Sequence, residues 1–281
     1  KTMCIKTGMI QHGMYIPFAK RERFFLIKRV LKTMKYFMYS QVIAKAIKRD
    51  GIEIFKKYLK TFIKGEIYKK AIDFTDKVNT DFVLVHGEYW KEYHKDIFGY
   101  SLDQQYLIGY PELNKINEIK ARKFEKNSLC YIAQTLVEDG RIDKSIMEIF
   151  FKNLEDIAKN KKIYIKLHPR TDKTIFKNRN FVLVDNEIPN CGFYIGHYSS
   201  LVALVGHLNA KVILFELKGH PIPDYFKESS IVLYDFKTLN DQINIDITDS
   251  AVKPTQEYYF ATGYNTKKAV ELILNQLIKN N

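Results

Sequence analysis

The sequence predicts an α/β protein built on parallel sheets, and three observations support this fold class. Short segments that are almost continuously apolar recur along the chain, among them 81–85, 129–133 and 163–167. Segments with helical periodicity separate them, such as residues 145–158, whose apolar side chains fall on one face. Strands that are apolar throughout, rather than at alternate positions, indicate a sheet covered on both faces, as is typical of parallel sheets.

The first part of the chain contains the shorter set of elements. An apolar segment that leads into Gln11-His12-Gly13 predicts a strand, and helical periodicity broken at Asp50-Gly51 and near Gly65 predicts basic helices. In order, we predict a strand at 3–10, helices within 22–70, a strand at 81–85, a helix at 88–97 and a strand at 105–108. A polar stretch, 114–127, is then predicted to be a linker or connecting helix.

The second part alternates more regularly between strands and helices. Ser145 and Glu148 have the spacing of a capping box and predict the start of a helix. We predict strands at 129–133, 163–167, 181–184, 193–195, 212–215 and 231–233, and helices at 145–158, 199–208 and 266–278. The predicted domains are 1–115, an α/β domain with basic helices, and 128–281, a Rossmann-like α/β domain.

Positive charge is concentrated near the start of the chain. The net charge is +13, and residues 20–70 contain 16 Lys or Arg against 4 Asp or Glu, with aromatic residues between them. Amphipathic helices with solvated lysine faces would explain this composition. Contact with an anionic membrane surface or a lipid-linked acceptor is the second interpretation, since basic amphipathic helices favour that boundary. No nucleic-acid-binding module is recognisable, so nucleic acid is not an expected partner.

The cysteines and the hydropathy indicate the compartment. Cys4, Cys130 and Cys191 are odd in number and have no paired spacing, which argues against a disulfide framework and fits a reducing cytoplasm. No uninterrupted apolar run approaches the roughly 18 residues of a membrane-spanning helix. We therefore expect a cytoplasmic protein, with peripheral contact at the inner face of the cytoplasmic membrane as the alternative.

His168-Pro169-Arg170 is the most informative motif, because it directly follows a predicted strand. Ligands of open parallel sheets bind at the carboxyl ends of the strands. A proline after His168 restricts the backbone and so helps to fix the ring, which could donate a hydrogen bond or a proton to a leaving phosphate. Arg170 adds a cation suited to the same phosphate. The alternative interpretation is a structural histidine at a strand end.

Further candidate site residues follow other predicted strands. Glu138 and Asp139 precede Gly140, and one carboxylate could remove a proton from an acceptor hydroxyl; the alternative is a surface turn with two solvated acids. Ser199 and Ser200 open a predicted helix, where they could bind phosphate, cap the helix, or do both. Gln11 and His12 follow the first strand and are candidates for the acceptor side.

The sequence lacks several motifs of metal and nucleotide sites. It has no GxGxxG, Walker A or HExxH motif and no Asp-x-Asp pair of the kind that metal-dependent sugar transferases use. His197 and His207 have no carboxylate or cysteine at metal-ligand spacing, and His220-Pro221 lies in a Gly/Pro-rich segment that we interpret as a loop. We therefore expect no metal site and no cofactor.

These motifs, in this order, resemble those of the bacterial sialyltransferases and polysialyltransferases. The matching residues are Glu138-Asp139-Gly140, His168-Pro169 and Ser199-Ser200, and their surroundings look most like the lipooligosaccharide sialyltransferase branch. The resemblance implies a GT-B fold of two Rossmann-type domains, with 1–115 on the acceptor side and 128–281 binding the nucleotide sugar. It also implies an inverting, metal-independent transferase. It would use CMP-sialic acid as donor and a glycan as acceptor, in the synthesis of a bacterial capsule or lipooligosaccharide.

The same resemblance implies a role for each matching residue. Glu138 would be the general base, with Asp139 the next candidate. His168 would act on the CMP phosphate as an acid or electrostatic stabiliser, and Ser199 and Ser200 would bind that phosphate. Pro169 and Arg170 would complete the phosphate side of the site.

Three alternatives stay open at the level of sequence. Kdo transferases use another CMP-sugar and also carry His-Pro. Glycerophosphate polymerases of teichoic acid synthesis use CDP-glycerol and combine a late His-Pro with a Ser-Ser segment. An acidic residue is expected soon after those serines, whereas here Leu201-Val202-Ala203 follows. The third alternative is a non-catalytic protein that binds anionic surfaces.

Overall fold

A computed structural model describes residues 6–11, 26–64, 80–208, 210–227, 230–245 and 254–278. The chain divides into two compact units, one formed by residues 1–110 with 258–281 and the other by residues 111–257. The strands of the described residues are β1 (Gly8–Ile10), β2 (Phe82–Val85), β3 (Gln105–Leu107), β4 (Glu125–Ile132), β5 (Lys162–Lys166), β6 (Val182–Val184), β7 (Cys191–Gly196), β8 (Lys211–Phe215) and β9 (Ile231–Leu233).

Ten α-helices accompany these strands in the same part of the chain. They are α1 (Leu26–Ile47), α2 (Gly51–Lys64), α3 (Glu88–Phe98), α4 (Ile116–Lys120), α5 (Lys144–Ile157), α6 (Ser200–Val205), α7 (Asp224–Lys227), α8 (Phe236–Asn244), α9 (Pro254–Tyr259) and α10 (Thr266–Ile278). None of the helices in the described ranges is both long enough and apolar enough to cross a membrane.

The first unit contains a three-stranded parallel sheet in the order β1-β2-β3. Its central strand, β2, is buried along its whole length, as expected for four consecutive apolar residues between two neighbouring strands. Phe82, Leu84 and Ile108 form a small core together with Ala269 of α10. The helix therefore covers one face of this sheet.

The end of the chain belongs to the first unit, which differs from the predicted domain 128–281. Trp90 Nε1 donates a hydrogen bond of 2.7 Å to the carbonyl oxygen of Tyr259, and the backbone nitrogen of Ala261 donates to the carbonyl oxygen of His86. These contacts, together with the packing of α10, attach residues 258–281 to the first sheet. The second unit therefore ends at residue 257, and the functional roles assigned to the two domains stay predictions.

The second unit contains a six-stranded parallel sheet in the order β6-β5-β4-β7-β8-β9. From β4 the chain proceeds outward through β5 and β6, and then returns to the other side of β4 to build β7, β8 and β9. The direction of winding thus reverses between β4 and β7, and such a reversal leaves a crevice at the carboxyl ends of the two strands. This crevice is the position at which a ligand is expected in an open parallel sheet.

Helix α5 shows how the local sequence determines the packing of this sheet. Its buried residues, Met147, Phe150, Phe151 and Leu154, recur at helical spacing and join the core over the sheet. The predicted capping box of Ser145 and Glu148 is wrong. Asp143 caps the helix instead, because its carboxylate accepts hydrogen bonds from both the backbone nitrogen and the hydroxyl of Ser145.

The predicted linker 114–127 is only partly a connecting segment. It contains the end of a 3-10 turn (Pro111–Lys115), the short helix α4 and the first residues of β4. Ile116 and Ile119 of α4 are buried, so this polar stretch still contributes to the second unit.

A buried histidine joins three neighbouring strands beneath the crevice. His197 follows β7, and its Nδ1 lies 2.7 Å from the carbonyl oxygen of Phe215 in β8, which can only accept. Nδ1 therefore carries the proton, and Nε2 accepts a hydrogen bond of 2.8 Å from the hydroxyl of Tyr131 in β4. Burial lowers the pKa of His197 to about 4, so the ring is neutral and serves to hold the strand ends together.

Candidate functional site

Three of the predicted motifs follow three adjacent strands of the six-stranded sheet. Glu138 and Asp139 lie in the loop after β4, His168-Pro169-Arg170 follows β5, and Ser199-Ser200 follows β7. Because β4 is the central strand of the three and all run in parallel, these loops occupy one edge of the sheet. The structure therefore brings the predicted residues together around the crevice between β4 and β7.

Asp139 links the loop after β4 to the loop after β5. Arg170 Nη1 donates to Asp139 Oδ1 at 3.0 Å and Arg170 Nη2 to Asp139 Oδ2 at 3.4 Å. Thr135 Oγ1 also donates to Asp139 Oδ2, at 3.0 Å, and accepts a hydrogen bond from Arg170 Nη2 at 3.1 Å. The two-bond arrangement of a guanidinium on a carboxylate fixes the orientation of both groups. Asp139 thus orients Arg170.

The ionisation of Asp139 follows from this environment. Burial by itself would raise the pKa of its carboxyl group. Hydrogen bonds from Arg170 and Thr135, together with the charges of Arg170 and Arg141, outweigh burial and hold the pKa below its ordinary value. Asp139 is therefore an ion-paired carboxylate at neutral pH, and it is less available as a base than its neighbour.

Glu138 is held at one carboxylate oxygen only. Its Oε1 accepts a hydrogen bond of 2.7 Å from the backbone nitrogen of Asp172, whereas Oε2 has no hydrogen-bond partner within the described ranges. The side chain is half-buried and lines a small cavity with Gln134 and Thr171. A carboxylate that is oriented by one oxygen and open at the other has the geometry of a general base.

His168 has one ring nitrogen engaged and the other open. The backbone nitrogen of Arg170 donates to His168 Nδ1 at 3.2 Å, so the neutral ring carries its proton on Nε2. Nε2 has no partner in the described part of the chain. Burial lowers the pKa of His168, and the positive charge of Arg170 lowers it further, against the opposing carboxylates of Asp139 and Glu138. At neutral pH the ring therefore presents an Nε2–H donor.

Ser199 and Ser200 begin helix α6. The hydroxyl oxygen of Ser199 accepts a hydrogen bond of 3.2 Å from the backbone nitrogen of Val202, so Ser199 caps the helix as the sequence predicts. Its hydroxyl proton remains free to donate to another group. The preceding residue, Tyr198, is paired with Gln134: its backbone nitrogen donates to Gln134 Oε1 at 3.1 Å, and Gln134 Nε2 donates to its carbonyl oxygen. This double contact fixes the serine loop beside the loop of Glu138.

Two further residues lie at this edge of the sheet: Arg141, which the sequence did not single out, and His220, which we interpreted as part of a loop. Arg141 lies 3.6 Å from Asp139 Oδ2, and its positive charge partly offsets the rise that burial causes in the pKa of Tyr198. His220 is buried and stacks on the ring of Tyr198, with ring centroids 4.7 Å apart. Neither ring nitrogen of His220 has a hydrogen-bond partner within the described residues, and burial lowers its pKa to about 4.

The acceptor-side residues belong to the first unit and are described separately. Gln11 is buried, and its Oε1 accepts a hydrogen bond of 2.9 Å from the backbone nitrogen of His86, which follows β2. Gln11 therefore has a structural contact between two strand ends, and its role toward an acceptor stays a prediction. His12 lies outside the described residues.

Metal-binding residues do not cluster in the described ranges. No group of three or more His, Cys, Asp or Glu side chains there has an arrangement that could hold a metal ion. The expectation of a metal-independent reaction stays a prediction.

The charge of Asp139 makes stability depend on pH in a testable way. We expect Asp139→Asn to lower the free energy of unfolding by about 1 kcal/mol at pH 7, because a partly buried ion pair is lost. Since the folded-state pKa of Asp139 lies below the ordinary 3.8, its contribution is complete above that pH and is lost as the pH falls through the folded-state value. Urea unfolding of both proteins should therefore differ at pH 7 and converge in acid. An equal difference at every pH would contradict this interpretation.

Comparison with solved structures supports the predicted GT-B-like α/β class. UDP-GlcNAc 2-epimerase from Methanocaldococcus jannaschii, in complex with UDP-GlcNAc and UDP, matches 86% of this chain and 80% of its own at 11% identity, with a TM-score of 0.52. The wall teichoic acid polymerase TagF is 16% identical over 72% of this chain, with a TM-score of 0.43. This chain spans 58% of the length of that TagF chain. The fold argument rests on the epimerase match, and at 11% identity that likeness concerns the fold alone.

The family assignment is firmer. The chain belongs to the alpha-2,8-polysialyltransferase family, whose model matches residues 5–191. Membership confirms the resemblance to the bacterial polysialyltransferases that the motifs indicate. Glu138, Asp139 and His168 lie within the matched region, whereas Ser199 and Ser200 lie beyond its end. No curated protein matches the chain.

Proposed function

We propose that the protein transfers sialic acid from CMP-sialic acid to a hydroxyl group of a glycan acceptor, with inversion at the anomeric carbon. The observation that carries the proposal is the meeting of an open carboxylate, an open imidazole donor and a serine pair at one switch point of a parallel sheet. Membership of the polysialyltransferase family supports the choice of donor. Capsule or lipooligosaccharide synthesis is the process in which such an activity would serve.

Glu138 is the general base in this proposal. Its Oε2 accepts the proton of the acceptor hydroxyl while the hydroxyl oxygen forms a bond to the anomeric carbon. The hydrogen bond from the backbone nitrogen of Asp172 keeps the carboxylate oriented during this step. Asp139 is a positioning residue, because its carboxylate is already occupied by Arg170 and Thr135.

The phosphate of the donor is stabilised on the opposite side of the reaction. As the bond between the anomeric carbon and the phosphate oxygen breaks, CMP leaves with the electron pair, and negative charge grows on the phosphate. In this proposal the Nε2–H of His168 and the hydroxyls of Ser199 and Ser200 donate hydrogen bonds to the phosphate, and Arg170 contributes positive charge. Pro169 restricts the loop that carries both His168 and Arg170.

Release of the cytidine nucleotide tests the donor and the enzyme class together. We expect CMP release from CMP-sialic acid in the presence of EDTA, with CMP-Kdo and CDP-glycerol much poorer donors, as measured by chromatography of the nucleotides. Release that EDTA abolishes would contradict the metal-independent reaction. A preference for CMP-Kdo or CDP-glycerol would show that the donor is not CMP-sialic acid. No release from any of the three would favour a binding protein.

A further inference from the structure

Helix α1 exposes a row of large apolar side chains. Leu31, Met34, Met38 and Val42 are 62%, 61%, 68% and 67% exposed, respectively. Their spacing of three and four residues places all four on one face of the helix. We call these four residues the α1 stripe. Single exposed apolar residues are common on protein surfaces, but a contiguous row on one helix face marks an interaction site.

The stripe is separate from the contact that holds α1 to α2. On the other side of α1, Ala44 is buried against Ile54 of α2, with Ile43 and Ile47 packed beside them. Phe37 meets Phe55 edge to face, with ring centroids 5.1 Å apart. The helix pair therefore has its own core, and the stripe is additional apolar surface.

The helix pair that carries the stripe is rich in basic residues. Lys35 and Lys45 fall on the same side of α1 as the stripe by helical spacing. Over residues 26–64 the basic residues outnumber the acidic pair Asp50 and Glu53: they are Lys28, Arg29, Lys32, Lys35, Lys45, Lys48, Arg49, Lys56, Lys57, Lys60 and Lys64. A helix with an apolar face and this positive charge is complementary to a surface whose interior is apolar and whose boundary is anionic.

We propose that the α1 stripe binds the surface of an anionic lipid bilayer, with the helix lying in the plane of the interface. The apolar side chains would enter the boundary between headgroups and acyl chains, and the lysines would contact the phosphates. A second copy of the same basic helix pair is a poorer occupant, because the two would repel each other. The partner is therefore a lipid surface.

Sedimentation with vesicles tests this proposal. The wild-type protein is expected to bind vesicles with roughly 30% phosphatidylglycerol and to bind pure phosphatidylcholine vesicles far more weakly. Met34→Gln/Met38→Gln should weaken binding about tenfold or more, because two apolar side chains no longer enter the interface. Gln maintains helix propensity, so circular dichroism should be unchanged. The matched control is Ile149→Gln/Ile245→Gln, which replaces two exposed apolar residues elsewhere, 58% and 51% exposed.

The outcomes separate the lipid surface from other occupants. Weaker binding in the stripe variant but not in the control, together with further weakening when ionic strength rises from about 0.05 M to about 0.5 M, supports the proposal. Absence of vesicle binding by the wild type, or an equal loss in both variants, would overturn it. A wild-type dimer that the stripe variant dissociates, seen by analytical ultracentrifugation, would assign the face to a second copy instead. CMP release by the stripe variant in solution should be unchanged.

Discussion

Glu138→Gln is expected to lower the turnover number for sialyl transfer by about 10²–10⁴-fold, the usual contribution of a general base. The glutamine oxygen can still accept the hydrogen bond from the backbone nitrogen of Asp172, so the loop after β4 should keep its position. The substitution removes only the basic oxygen that has no other partner. The turnover number and the Michaelis constant for the donor, measured at saturating acceptor, should show a loss confined to turnover.

The matched control for this variant is Glu148→Gln on helix α5, where a solvated glutamate lies 3.8 Å from Lys144. It makes the same chemical change at an exposed carboxylate, and activity should stay within about twofold of wild type because surface ion pairs contribute little. Full activity of Glu138→Gln would show that Glu138 is not the general base. Calorimetric binding of CMP should be the same in Glu138→Gln and wild type, since the base acts on the acceptor.

Substitutions of His168 are expected to distinguish a catalytic role of its Nε2–H from a structural role of its Nδ1. Asn at this position can accept the hydrogen bond from the backbone nitrogen of Arg170 in place of Nδ1, but it lacks a donor at the position of Nε2. Gln places an amide donor near Nε2 instead. If the Nε2–H stabilises the leaving phosphate, His168→Asn should lose about 10²–10³-fold in turnover, and His168→Gln should recover part of it.

The opposite ranking would assign His168 to the structure of its loop. Activity in His168→Asn close to wild type, with a larger loss in His168→Gln, would mean that the contact with the Arg170 backbone is the important one. The pH profile adds a second measure. Because the pKa of His168 lies below its ordinary 6.5, its ionisation should not limit kcat/KM at neutral pH, and any acid limb that it causes should fall below that value.

Much of the fold could be predicted from sequence because buried parallel strands have a local signature. The apolar runs at 129–133, 163–167 and 212–215 correspond to β4, β5 and β8 within a few residues. Helix ends were less predictable. Ser145 and Glu148 have capping-box spacing, but Asp143 was closer to the true helix start and its carboxylate is the stronger acceptor.

Only those site residues that lie in short sequence motifs could be predicted. Each of the motifs that contain Glu138, His168 and Ser199 is a contiguous run of residues. The rule that ligands bind at the carboxyl ends of strands predicts that the three motifs meet. Arg141 and His220 could not be found in this way, because their contacts with Asp139 and Tyr198 depend on the tertiary packing of separate loops. The attachment of residues 258–281 to the first sheet has the same origin, since the contact between Trp90 and Tyr259 spans most of the chain.

The burial of the histidines has a practical consequence. Among the six histidines that the structure describes, His86, His94, His197, His207 and His220 are buried, and only His168 is exposed. An imidazole-acylating reagent such as diethyl pyrocarbonate should therefore label His168 first, once His12 has been replaced by glutamine. The ultraviolet absorbance of the adduct then reports whether a nucleotide occupies the crevice. Donor analogues could be ranked by protection from this reagent, without an acceptor and without turnover.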